Sequence, residues 1–213
     1  MNLNPSQAEL TPSADIGEAL QRGPFHADRR LVLMHGWGAD ADDLLDLADL
    51  LVGPEVSVVA LRAPMAHPSG MGRQWYNLQP IDWSELPAAR KALRTRLIAL
   101  GCSVPLKRTV LLGFSQGGAM AVDVGGELQL AGIVACSGYP HQGWRPAAEA
   151  QPTPVLLSHG LQDPVVPYAA SESLKKQLLQ AGRPVKLLPF SGQHGIDETV
   201  LPEIAAFVRQ CLN

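Results

Sequence analysis

Ser115 lies in Gly113-Phe114-Ser115-Gln116-Gly117, a G-x-S-x-G pattern that a chain of this composition would produce by chance about 0.1 times. The pattern follows the apolar run from Thr109 to Leu112 and precedes Gly118, Ala119 and Ala121, which places it between a strand and a helix. A serine on so sharp a turn needs strained backbone angles, and small neighbours let the chain pass. The turn projects the hydroxyl outward, and the helix N-terminus aims backbone N–H groups at developing negative charge. The chemistry this suits is nucleophilic attack, provided a positioned base takes the hydroxyl proton. The alternative is a glycine-rich packing turn with an ordinary serine.

With a serine on such a turn, the expected chain order is serine, acid, histidine, each after a later strand. Of the six histidines, His26, His67 and His141 fall in irregular segments with no strand before them. His35 and His159 end strands but precede glycine in HG pairs that shape loops. His194 alone follows the last apolar run, in Gly192-Gln193-His194-Gly195, where glycines leave the imidazole room to approach the serine. The acid is Asp163, directly beyond the fifth apolar run. A carboxylate there accepts the imidazole N–H, holds its tautomer and stabilises the imidazolium. Its alternative is a turn-forming aspartate before Pro164. Asp197 is nearer to His194 in sequence but reads as a cap of the last helix. For oxyanion donors, His35-Gly36-Trp37-Gly38 closes the first strong strand, so the N–H groups of Trp37 and Gln116 are the candidates. The side chains of those two need play no chemical part.

The elements that would position these residues are apolar runs at Leu31–Met34, Val56–Leu61, Val110–Phe114, Gly132–Cys136, Val155–Ser158 and Val185–Phe190. They are mostly continuous rather than alternating, as in strands buried on both faces. Between them lie helical stretches. One carries Leu44, Leu47, Leu50 and Leu51 on one face behind Asp40, Asp42 and Asp43, and one runs from near Ser84 to Gly101. Others follow Ser115, span about 169–181, and run from about Asp197 to Leu212, with Pro202 in the first turns of the last or splitting it. Strand alternating with helix predicts an α/β fold, a mostly parallel sheet covered on both faces, with chemistry beyond the strands' carboxyl ends. Residues 29–213 form the single expected domain, and 1–28 a tail or an extra edge strand. The connection from Ala63 to Trp83 lacks periodicity and is expected to be a binding loop.

Composition closes off other classes. Acidic residues number 20 against 17 basic, a net charge of −3, which provides no footprint for nucleic acid. No apolar stretch is long enough for a membrane span, and the polar, Pro- and Ser-interrupted start does not read as a secretory signal. Cytoplasmic residence is expected. Cys102, Cys136 and Cys211 are an odd number, far apart. They fit neither a disulfide framework nor a metal site and read as small buried packing residues. Arg90, Lys91, Arg94 and Arg96 read as the solvated face of the second helix, and Lys175-Lys176 likewise.

Taken together, Met34-His35-Gly36-Trp37-Gly38-Ala39-Asp40, Leu61-Arg62-Ala63-Pro64, Gly113 to Gly118, Cys136-Ser137-Gly138-Tyr139-Pro140, His159 to Pro167 and Gly192-Gln193-His194 resemble the carboxylesterase/acyl-protein thioesterase group of α/β-hydrolases. The resemblance covers roughly residues 29–210. It implies an α/β-hydrolase fold and hydrolysis of esters or thioesters of a small-molecule or acylated substrate, without metal or organic cofactor. Position by position it implies Ser115, Asp163 and His194 as the triad and Trp37 and Gln116 as oxyanion donors. It also implies Met71, Trp75 and Tyr76 as substrate-binding residues and the loop Met65–Arg73 covering the acyl groove; a monomer or homodimer is the default expectation. Asn77 stands where the group often has aspartate. The segments between strands are too short for a separate cap domain, which suits short or medium acyl chains and large leaving groups. A dienelactone-hydrolase-like enzyme would carry cysteine at position 115. A non-catalytic binding protein on the same fold usually lacks a triad member.

Overall fold

The computed structural model describes residues 9–10, 18–24, 27–147 and 152–213; His26 lies outside them. The strands are β1 (Glu9–Leu10), β2 (Ala19–Arg22), β3 (Arg30–Met34), β4 (Ser57–Leu61), β5 (Met65–Ala66), β6 (Arg73–Gln74), β7 (Thr109–Phe114), β8 (Gly132–Cys136), β9 (Val155–Gly160) and β10 (Val185–Phe190). The helices are α1 (Leu45–Leu51), α2 (Leu86–Leu100), α3 (Gln116–Gly125), α4 (Ala169–Gln180) and α5 (Leu201–Leu212). Eight strands form one sheet in the order β1-β2-β4-β3-β7-β8-β9-β10, while β5 and β6 pair apart as a short hairpin. From β4 to β10 every neighbouring pair is parallel; β2 lies antiparallel on β4 and β1 antiparallel on β2. Both β1 and β2 fall inside residues 1–28.

Each residue of β3, β4, β8 and β9 is buried, which is why those strands are mostly apolar, with Arg30, Ser57, Ser158 and His159 as buried polar exceptions. The edge strand β10 instead alternates and tolerates Pro189, whose missing N–H an edge can spare. One face of the sheet packs on α2, α3 and α4 through Leu93, Leu97, Met120, Val124, Leu174 and Leu178. The other packs on α1 and α5 through Leu45, Ala48, Leu51, Ile204 and Val208. The inward face of α1 is therefore Leu44, Leu45, Ala48 and Leu51, and Leu50 is exposed rather than part of it. Pro202 sits in the first turn of α5, behind a short 3-10 turn at Glu198–Val200. There its absent N–H is an orphan in any case.

Arg96 corrects the solvated-face reading of α2. It is buried, and its guanidinium donates to the carbonyls of Arg62 and Glu18, both at 2.8 Å, tying α2 to the β2–β4 edge. Cys102 is exposed and Cys211 half-buried, so of the three cysteines only Cys136 is fully buried. Among the described residues no helix is long and apolar enough to cross a membrane.

The register aligns the carboxyl ends on one rim: Met34 pairs with Gly113, Phe114 with Cys136, Cys136 with Ser158, and Phe190 with Gly160. The loops that leave those positions carry the candidate chemistry.

Candidate active site

Ser115 joins β7 to α3 at φ 54° and ψ −115°, a conformation that costs on the order of 1–3 kcal/mol for a residue with a side chain. The surroundings hold it there. The Ser115 N–H donates to the Cys136 carbonyl at 2.8 Å, and its own carbonyl accepts the first helical bond, from Ala119, at 3.0 Å. Glycine is required on both sides. A Cβ on Gly113 would lie 2.2 Å from the Gly117 carbonyl oxygen, and one on Gly117 would lie 2.2 Å from that of Met34.

The structure brings the three side chains together. His194 Nε2 is 3.0 Å from Ser115 Oγ, and His194 Nδ1 is 2.7 Å from Asp163 Oδ2. A carboxylate only accepts, so Nδ1 carries the proton and Nε2 is free to take one from the hydroxyl. The other Asp163 oxygen accepts the N–H groups of Val165 and Val166 at 2.8 and 2.9 Å. The turn role and the histidine-holding role thus coincide in one residue. Burial alone would raise the Asp163 pKa, but the bonds from His194, Val166 and Val165 outweigh it and hold the carboxyl below its ordinary range. Asp197 caps the 3-10 turn before α5, accepting from the Thr199 N–H at 2.9 Å.

His159 shapes the acid's loop. Its Nε2 is 2.8 Å from the Val166 carbonyl and 3.2 Å from Asp163 Oδ2, and its Nδ1 is 2.6 Å from Ser171 Oγ on α4. His35 does the same for the first loop. Its Nε2 accepts from the Ala63 N–H at 3.1 Å, so Nδ1 donates to the Gly36 carbonyl at 2.8 Å. That pattern requires a neutral imidazole, and burial lowers the His35 pKa accordingly. Asp40 accepts from Arg62 Nε at 2.9 Å, joining the loop after β3 to the loop after β4.

Among the described residues, the backbone N–H groups of Trp37 and Gln116 donate to no acceptor. The turn bearing Trp37 is braced by the hairpin: Gly38 N–H donates to the Arg73 carbonyl at 2.9 Å, and Arg73 N–H to that of Ala39 at 2.7 Å. The Trp37 indole donates to Gln74 at 2.8 Å. The Gln116 side chain, assigned no part by the sequence, makes a two-way tie. Its Oε1 accepts the Trp75 N–H at 3.0 Å and its Nε2 donates to the Tyr76 carbonyl at 2.8 Å.

Met71, near the tip of the β5–β6 hairpin, is 77% exposed. Trp75 and Tyr76 are 2% and 0% exposed, with the Trp75 indole donating to the His35 carbonyl at 3.0 Å. His67 packs its ring on that of Trp37. Sequence reasoning missed one cluster, Asp123, His141, Tyr76 and Tyr139, which the structure links by hydrogen bonds. Nothing local signals it, because the hydrogen-bonded partners lie 18 to 65 positions apart in the chain.

A mostly parallel sheet with β2 reversed next to its edge, and a strained serine between β7 and α3 against a histidine and an aspartate from later loops, define an α/β-hydrolase fold. Residues 18–212 match the phospholipase/carboxylesterase family, and the chain belongs to it. The chain is 30% identical to acyl-protein thioesterase 1 of Neurospora crassa over 139 residues, 55% of this chain and 56% of that one. It therefore spans little more than half the length of that relative. It is 29% identical to esterase YpfH of Escherichia coli over 76% of this chain and 73% of that one. Among solved structures, esterase PE8 is 30% identical at a TM-score of 0.78, covering 90% of this chain and 97% of the other. A carboxylesterase from Mesorhizobium loti reaches a TM-score of 0.81 at 20% identity, covering 96% and 98%, a likeness of fold.

Proposed function

We propose that this chain is a serine hydrolase that cleaves carboxylic esters or thioesters through an acyl-enzyme on Ser115. The observation that carries the reading is the unbroken contact from Ser115 Oγ through His194 to Asp163, at 3.0 and 2.7 Å. Ser115 Oγ attacks the carbonyl carbon as His194 Nε2 takes its proton. The displaced electron pair goes to the carbonyl oxygen, where the free N–H groups of Trp37 and Gln116 receive the charge. Collapse of the adduct breaks the bond to the leaving alcohol or thiol, to which His194 returns the proton. Water then repeats the attack, with His194 as base, and releases the acid and free Ser115. Asp163 keeps the imidazole in the tautomer this requires and offsets the imidazolium charge. No step calls for a metal or an organic cofactor. Met71, exposed on the hairpin, borders the acyl group, with Trp75 and Tyr76 backing that loop from the interior, and the substrate is a small or acylated molecule met in the cytoplasm by a monomer or homodimer.

Hydrolysis of 4-nitrophenyl butyrate tests the reading. The purified chain should turn it over and be labelled by a fluorophosphonate probe. Ser115→Ala should lose about 10⁴- to 10⁶-fold in kcat and all labelling. Hydrolysis undiminished in that variant would end this reading, and a protein that only binds acylated ligands would not be labelled.

A further inference from the structure

The interior holds a second Asp–His pair that the triad does not use. His141 Nδ1 lies 2.6 Å from Asp123 Oδ2, His141 Nε2 lies 2.9 Å from the Tyr76 hydroxyl, and that hydroxyl lies 2.7 Å from that of Tyr139. Arg90 Nε of α2 is 3.0 Å from the other Asp123 oxygen. Asp123, His141 and Tyr76 are buried, while Arg90 at one end and Tyr139 at the other are partly open. Tyr139 is the third residue beyond Cys136, whose carbonyl accepts the Ser115 N–H, so this end of the array stands on the rim that carries the nucleophile. From the other side, the Tyr76 carbonyl takes its bond from the Gln116 side chain. The array therefore runs from α2 and α3 to the wall of the site.

Donor counting gives the array a direction. The Asp123 carboxylate accepts only, so His141 carries a proton on Nδ1, and in the neutral tautomer of that ring Nε2 accepts. Tyr76 has one O–H and gives it to Nε2. Its oxygen then accepts the O–H of Tyr139. The single proton of Tyr139 is committed inward, and its remaining acceptor capacity is left for the rim. Burial pushes the Tyr139 phenol up to about 12, so the proton stays in place through the neutral range. Apolar side chains of similar size would fill the same space without the penalty of burying polar groups.

We propose that the Tyr139 oxygen is a specificity-determining acceptor for substrates that carry a hydroxyl close to the reacting ester. Tyr76, His141 and Asp123 act as positioning residues that fix its orientation. The proposal rests on the esterase reading above. The hydroxyl can belong to the alcohol part or to the acyl part, and paired esters distinguish the two. In the first pair 2-hydroxyethyl butyrate is set against propyl butyrate. In the second, ethyl 3-hydroxybutyrate is set against ethyl 3-methylbutyrate. Each pair exchanges a hydroxyl for a methyl of nearly equal size.

The measured quantity is the kcat/KM ratio within each pair at pH 8, for the unmodified protein, Tyr139→Phe and Tyr76→Phe. Comparing variants cancels the intrinsic reactivity of the esters. Tyr139→Phe should lower the hydroxyl-to-methyl ratio of one pair about 3- to 10-fold, the range of one neutral hydrogen bond. The change should appear in KM of the hydroxy ester, with kcat kept. Tyr76→Phe, which leaves Tyr139 in place but removes its inward acceptor, should move the same ratio the same way. Ratios within twofold of the unmodified protein in both pairs for Tyr139→Phe, or equal losses on both members of a pair, would overturn the acceptor role. An unmoved ratio in Tyr76→Phe would remove the positioning role. Turnover of propyl butyrate by the unmodified protein, and its loss in Ser115→Ala, tests the parent reading separately.

Discussion

At the scale of single residues, Gln116 serves the site through both of its halves. Its backbone N–H has no acceptor among the described residues, while its side chain satisfies the Trp75 N–H and the Tyr76 carbonyl. The residue is fully buried, so no water can replace those bonds if the amide is lost. Gln116→Leu should leave both backbone groups unpaired and destabilise the fold by about 2–5 kcal/mol. The same change frees the segment at Trp75, whose indole holds the His35 carbonyl next to the Trp37 turn. A donor displaced by about 1 Å can lose on the order of a hundredfold in rate. The variant should therefore show a kcat reduced ten- to hundredfold and a lower urea midpoint. Urea unfolding and steady-state kinetics on one preparation check both. A normal kcat in a destabilised protein would confine the Gln116 side chain to stability. The meeting of Ser115, Asp163 and His194 was readable from the sequence because each follows a strand in a fixed order. The Gln116 tie was not, because an amide's partners depend on which distant backbone folds across it.

At the scale of elements, the β7–α3 corner is built from backbone contact, and its glycines are graded by what a methyl group would strike. On Gly113 or Gly117 a Cβ would meet a carbonyl oxygen at 2.2 Å, and on Gly118 the nearest atoms are at 3.1 and 3.2 Å. The first two clashes are with backbone held in the sheet and helix, which close packing prevents from yielding. Gly117→Ala should thus cost at least about 3 kcal/mol or abolish soluble protein, while Gly118→Ala should fold and lose about 1–2 kcal/mol. Thermal melts of the two variants, with soluble yield for the first, measure the order. Equal stabilities would mean that α3 shifts freely against β3. The sequence displays the parallel strands β3, β4, β7, β8 and β9 because each is buried on both faces and so carries a continuous apolar run. It conceals β2 and the β5–β6 hairpin for the complementary reason. Ala19–Arg22 is a short strand of mixed character next to the sheet edge, and Met65–Ala66 and Arg73–Gln74 are too short to show any period. Arg96 misleads for another reason: its charge suggests solvent although it shares the inward face with Leu93 and Leu100, and only the folded sheet supplies the carbonyls it bonds.

At the scale of the whole molecule, the loops of the candidate site are also joints between strands, so protonation there acts on global stability. His35 is the clearest case. Its neutral ring accepts from Ala63 after β4 and donates to Gly36 after β3. A second ring proton would point at the Ala63 N–H. Burial, the largest influence, lowers its pKa below the 6.5 of an exposed histidine. The unfolded chain therefore binds this proton at a higher pH than the folded chain. Stability from His35 is complete above about pH 6.5 and declines as pH falls from there through the lower folded value. Asp163, held below the usual carboxylate range, contributes in a separate and more acidic window, complete above about 3.9 and lost as pH falls through its folded value. The slope from one group is at most about 1.4 kcal/mol per pH unit, or a few degrees in Tm for a domain of this size. His35→Gln can still donate and accept but cannot take a proton. Its Tm should be lower than the parent's at pH 8 and flatter between pH 6.5 and 5, so that the two curves converge on acidification. Calorimetric melts at half-unit pH steps measure this. Curves that stay parallel through that interval would show that the proton is taken up elsewhere and that the joint between β3 and β4 does not set the acid limit of the fold.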